Sequence, residues 1–124
     1  MTSENADLKD RRILIVEDES TIAMLLEDTL EEIGCKVVAS VSRLANAVAQ
    51  AGTLSFDVAI LDVNLNGEQT FGLAADLMKR GIGVVFSTGY GRTIIPDNLQ
   101  NTPVLQKPFQ QRELEQALRE ALSP

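Results

Sequence analysis

The sequence predicts an α/β domain in which a parallel sheet carries helices on both faces, and three observations support that prediction. Five short apolar runs recur along the chain, each followed by a helical or loop segment. The runs are rich in β-branched residues and continuous instead of alternating, as strands covered on both faces are. With 124 residues, 44% hydrophobic and 23% charged, the chain has the size and composition of one domain with its own core.

In chain order, Ile13 to Val16 is the first run. The helix after it places Ile22, Leu25, Leu26, Thr29, Leu30 and Ile33 at helical spacing, and Gly34 is a natural stop. Val37 to Ala39 is the second run, followed by a weaker, alanine-rich helix from Leu44 to Ala51 that ends near Gly52. Val58 to Leu61 is the third, and Phe71 to Arg80 is a helix closed by Gly81. Val84 to Phe86 is the fourth. The following segment, Tyr90 to Thr102, has glycines at its start, Pro96 in its middle and a thin apolar pattern, so any helix there is expected to be short or mobile. Val104 and Leu105 form the last run, and the final helix, Gln110 to Leu122, lines up Leu114, Ala117, Leu118, Ala121 and Leu122. Right-handed crossovers then give a flavodoxin-like, doubly wound five-stranded parallel sheet of order 2-1-3-4-5. The polar stretch Met1 to Asp10 is expected to be a disordered tail (residues 1–10), leaving one domain over residues 11–124.

Composition narrows the function. Eleven Lys and Arg against eighteen Asp and Glu give a net charge of −7, which argues against DNA or anionic membranes as partners. The chain has no histidine, which removes Ser-His-Asp and Cys-His catalysis, histidine-ligated metals and a phosphohistidine-donor role. A lone cysteine, Cys35, forbids an internal disulfide and fits a reducing compartment or simply a small buried side chain. No apolar run approaches the ~20 residues of a membrane span, and no signal sequence is visible. The expected location is the cytoplasm.

In this fold ligands bind at the carboxyl ends of the strands. There the sequence places Glu17, Asp18 and Glu19 after the first strand, Asp62 after the third, Ser87 and Thr88 after the fourth, and Lys107 before Pro108 after the fifth. Taken singly, each has a bland role: acidic residues favour helix N-termini, Asp62 can cap a loop, and Lys107 can be a surface lysine. Together they differ. Three carboxylates in one pocket repel and call for a cation and a compensating lysine. A hard oxygen site completed by water and phosphate suits Mg²⁺, and a hydroxyl and an ammonium opposite it could hold phosphoryl oxygens.

These residues resemble the receiver domains of two-component response regulators, through "ILIVEDE" (Ile13 to Glu19), "DVAILDVNL" (Asp57 to Leu65), "FSTGY" (Phe86 to Tyr90) and "LQKPF" (Leu105 to Phe109). The resemblance implies a phosphorylation-controlled signalling switch, not an enzyme acting on a separate substrate. In it Asp62 accepts a phosphoryl group from a histidine kinase, and Glu17, Asp18 and the backbone carbonyl of Asn64 hold Mg²⁺ beside it. Thr88 would bond a phosphoryl oxygen, Lys107 would pair with phosphate and Asp62, and the Lys107-Pro108 bond would be cis. Gly89 would keep the pocket mouth open, with Asn64 and Tyr90 flanking the path of attacking water. Val104 stands where many receivers carry a rotating aromatic ring, and no proline follows the acceptor. Both departures, with "FSTGYG", are similar to the FAT GUY subfamily of lone receivers that work with HWE-type histidine kinases. The sequence ends after the last helix, so output is expected through a histidine phosphotransfer or downstream protein, or the domain acts as a phosphate sink or shuttle.

Rival readings are weaker. Asp62 to Gly67 opens like a calcium loop, but position twelve is Leu73 where a bidentate Glu is needed. A haloacid-dehalogenase-type phosphatase needs a second Asp where Asn64 stands. A non-phosphorylated adaptor of the same fold is the alternative from another class, and it would have no chemical reason to keep all the site residues.

Overall fold

The five apolar runs become the strands of one parallel sheet in the computed structural model, which describes residues 6–123. In chain order the elements are β1 (Arg12–Val16), α1 (Ser20–Ile33), β2 (Lys36–Val41), α2 (Leu44–Thr53), β3 (Val58–Asp62), a hairpin of β4 (Asn64–Leu65) and β5 (Glu68–Gln69), α3 (Phe71–Lys79), β6 (Gly83–Thr88), β7 (Val104–Gln106) and α4 (Gln111–Leu122). The sheet order is β2-β1-β3-β6-β7. With the hairpin left out of the count, this is the expected 2-1-3-4-5.

Strand alternation divides the core in two. Leu14, Val16, Ala59, Leu61, Val84 and Phe86 meet Ala47, Ala51, Leu73, Ala74 and Leu77 of α2 and α3. Ile13, Ile15, Val58, Ile60, Val85 and Leu105 meet Leu26, Leu30, Leu114 and Leu118 of α1 and α4. All five residues of β3 are buried. That explains why this strand reads as an unbroken apolar run ending in Asp62.

Two expectations change in detail. On α1 the buried stripe is Ala23, Leu26, Leu30 and Ile33, whereas Leu25 is 49% exposed. The stripe that reaches the sheet is narrower than the helix's apolar surface, and Leu25 falls on its flank. Within the expected tail, residues 1–5 lie outside the described residues, but residues 6–10 form a turn that is part of the domain. Leu8 is fully buried among Ile33, Cys35 and their neighbours. Around it the Asp10 N–H donates to the Gly34 carbonyl at 2.7 Å, and Asp7 pairs with Arg119 at 3.0 Å. One apolar side chain among charges was enough to anchor a stretch that its polarity marked as a tail. Leu8→Ala should therefore destabilise the protein by about 2–4 kcal/mol, as large-to-small core substitutions do. Urea unfolding measures this, and a loss below about 1 kcal/mol would show that the strap contributes little.

Residues 90–102, where any helix was expected to be short or mobile, hold two single-turn 3-10 helices, Arg92–Ile94 and Asp97–Leu99. The segment is clasped on itself. The Arg92 guanidinium donates to the carbonyls of Gln100 and Thr102, and the Gln100 amide donates back to Ile95. Ile95 and Leu99 are buried beneath it. Pro96, which has no N–H to donate, stands between the two turns and divides them.

Candidate functional site

Parallel register brings the strand ends to one level. Val16 pairs with Leu61, Asp62 with Ser87, and Thr88 with Gln106. Glu17 and Asp62, buried at 2% and 7% exposure, therefore lie at the ends of strands that run side by side. Carboxylate oxygens of Glu17, Asp18 and Asp62 lie within 4.8 Å of one another. Lys107 reaches in from the far end of the sheet, its Nζ 2.9 Å from Glu17 Oε1 and 3.2 Å from Asp62 Oδ2. The other Glu17 oxygen accepts the Glu19 N–H at 3.0 Å.

The remaining site residues surround this cluster. Thr88 is buried, its hydroxyl accepts the Tyr90 N–H at 3.0 Å, and its carbonyl accepts the Lys107 N–H at 2.9 Å. The Lys107-Pro108 peptide is cis. Asn64 is exposed, and its N–H donates to Asp62 Oδ1 at 3.3 Å. Gly89 is at an open rim, where an added Cβ would meet nothing within 4 Å. Tyr90 points outward at 79% exposure. Val104 is half-buried against the α2/α3 side of the core. Pro108 and Phe109 form, with Ile22 and Leu25, a largely apolar groove beside Lys107.

Two contributors were missed from sequence. Asn66 and Gly67 make the turn of the β4/β5 hairpin, both with positive φ (51° and 90°). The Asn66 N–H holds Asp18 Oδ2 at 3.1 Å. The Asn-Gly pair is the signal for such a hairpin. Thr70 is buried and donates its hydroxyl to the Asp62 carbonyl at 2.8 Å, and no sequence pattern points to it.

The electrostatics reflect this crowding. Burial, and then the charge of Glu17, push the Asp62 carboxyl up to about 7 against the pull of Lys107. Burial alone would lower the Lys107 ammonium, but its contacts with Glu17 and Asp62 hold it above the usual range. The donor set, three hard carboxylates with oxygens within 4.8 Å of one another, fits a divalent cation such as Mg²⁺.

The family profile of the response regulator receiver domain matches residues 13–119. The chain belongs to this family. Among solved structures, this receiver is similar to SdrG from Sphingomonas melonis Fr1, with 40% identity, 99% of this chain and all of that one covered, and a TM-score of 0.83. The response regulator PhyR from Brucella abortus is 26% identical over 91% of this chain and 48% of its own, with a TM-score of 0.76. An uncharacterized transcriptional regulatory protein of Bacillus subtilis, YbdJ, is 32% identical over 86% of this chain. The receiver spans about half of that curated relative, 48%. Receivers are phosphorylation-regulated signalling domains that bind Mg²⁺ in an acidic pocket and interact with histidine kinases, and no helix among the described residues is long and apolar enough to cross a membrane.

The Asp62 shift makes the metal-free receiver pH-sensitive. Folded Asp62 binds its proton more tightly than the unfolded residue, whose value is near 3.8. Its stabilising contribution is therefore full below about 4 and is lost as pH rises through about 7. In EDTA, Asp62→Asn should gain on the parent as pH rises from 5 to 8, by on the order of 2 kcal/mol. Urea unfolding at the two pH values tests this, and a gap that does not widen contradicts it.

Proposed function

We propose that this receiver accepts a phosphoryl group from a histidine kinase phosphohistidine onto Asp62. The observation that supports this most is the Lys107 ammonium lying between Glu17 and Asp62 in a cluster of three carboxylates. In the transfer an Asp62 carboxylate oxygen forms the new P–O bond, and the P–N bond breaks with its electron pair returning to the donor imidazole. Lys107 stays beside Asp62 as it takes on the phosphoryl charge. The Thr88 hydroxyl, which accepts from Tyr90, has its own proton available for a phosphoryl oxygen. Glu17, Asp18, Asp62 and the Asn64 carbonyl would hold Mg²⁺, which supplies neutralisation of the phosphoryl charge when bound. Water later releases inorganic phosphate and resets the switch.

The likeness to SdrG and "FSTGYG" support a place in the FAT GUY subfamily, with an HWE-type histidine kinase as donor. Output runs through a histidine phosphotransfer or downstream protein, in the cytoplasm, from a domain that begins at least as early as the Leu8 strap. Titration with Mg²⁺ and beryllofluoride, followed by NMR, tests the reading. Saturable shifts around Asp62, Thr88 and Lys107 are expected, while a spectrum unchanged by both would favour a non-phosphorylated adaptor.

A further inference from the structure

Ser87 takes no part in the transfer to Asp62, yet it is built into the same wall. Along β6, Val84 and Phe86 face α2 and α3 while Val85 faces α1 and α4. Alternation puts Ser87 on the α1/α4 side, with Ile60 and Asp62 of β3 and Leu105 of β7. Register sets it directly between Asp62 and Leu105. Lys107, just beyond β7, must cross β6 to reach Asp62 and Glu17. Ser87 is 1% exposed, and its Oγ has no hydrogen-bond partner among the described residues. A buried hydroxyl without a partner costs stability, and alanine would fill the place without that cost. Such a group calls for an explanation.

We propose that Ser87 is a positioning residue for hydrolysis of phosphorylated Asp62: its hydroxyl, turned toward β3, donates to the Asp62 carboxyl oxygen that does not carry phosphorus. This rests on Asp62 being the acceptor. Adjacent strands lie about 4.8 Å apart, and side chains directly opposite on one face come within hydrogen-bonding reach, so a turn of the Ser87 side chain brings its Oγ to the Asp62 carboxyl. In hydrolysis a water oxygen bonds to phosphorus and the P–O bond to Asp62 breaks. Its electron pair returns to the carboxylate, and the attacking water's protons pass to phosphate and solvent. A hydrogen bond to the departing carboxylate stabilises the charge that collects there. Ser87 therefore shortens the life of the phosphorylated state.

The test is to label the protein with acetyl phosphate and Mg²⁺, remove the excess and follow loss of phosphate. Ser87→Ala should lose it about 3–10-fold more slowly, the worth of one hydrogen bond. The isosteric pair separates hydroxyl from shape: Ser87→Val should be slow and Ser87→Thr close to the parent. Melting temperatures in EDTA should not fall for Ser87→Ala, so slower decay is not a weakened fold. Parent-like decay of Ser87→Ala, or Ser87→Thr as slow as Ser87→Val, overturns the proposal alone. A parent protein that takes no label at Asp62 overturns the acceptor reading, and this proposal with it.

Discussion

Asp62→Asn should take no label from acetyl phosphate or from a phosphorylated kinase, while keeping its fold and being the more stable in its metal-free form. The amide nitrogen and carbonyl that replace the carboxylate cannot form an acyl phosphate, so the loss is complete, not partial. The fold is retained because of how the site is built. Asp62 ends a strand whose backbone is fixed by β1 and β6 on either side, and Thr70 holds its carbonyl. None of these contacts uses the side chain. The gain in stability comes from removal of one charge from a buried group already pushed up to about 7. Lys107 loses one partner but keeps Glu17 at 2.9 Å. Phosphate counted by mass spectrometry or radiolabel decides the first part, and full labelling of the variant would move the acceptor elsewhere.

The parts of this molecule that were legible in sequence are those where one physical rule acts alone. A strand covered on both faces must be continuously apolar, so β1, β3 and β6 announce themselves, and the residues just after each strand must lie at the sheet's carboxyl edge. That is enough to gather Glu17, Asp18, Asp62, Thr88 and Lys107. Leu8 was not legible because its burial depends on tertiary packing among Ile33, Cys35 and their neighbours, and a single leucine carries no period. Leu25 was misread because periodicity reports which residues share a helix face, not how much of that face the sheet covers. Thr70 and the Asn66 N–H work through backbone contacts that only the hairpin creates. Ser87 was legible only as a hydroxyl at the carboxyl edge beside Thr88; its register opposite Asp62 and its unpartnered oxygen come from the structure.

Asp18→Asn should weaken Mg²⁺ binding about 100-fold or more while the domain stays folded. Altering even the groups that only support a metal's ligands typically costs 10–100-fold in affinity, and on the proposed ligand set a ligand charge would itself be removed. Compensation within the site is limited. Glu17 is shared with Lys107 and the Glu19 N–H, and Asp62 with Lys107 and the Asn64 N–H. Among the described residues Asp18 is the one carboxylate of the three with no ion pair to the lysine, and its Oδ2 accepts the Asn66 N–H. It therefore brings the largest uncompensated negative charge to the cation. The variant's amide oxygen can still accept from Asn66, so the hairpin stays docked, and relief of repulsion should leave the metal-free variant at least as stable as its parent. Mg²⁺ titration followed by NMR gives the affinity, and urea unfolding in EDTA gives the stability. Unchanged affinity would place the metal away from this carboxylate. A metal-free variant less stable than the parent would mean that Asp18 serves the fold more than it strains it.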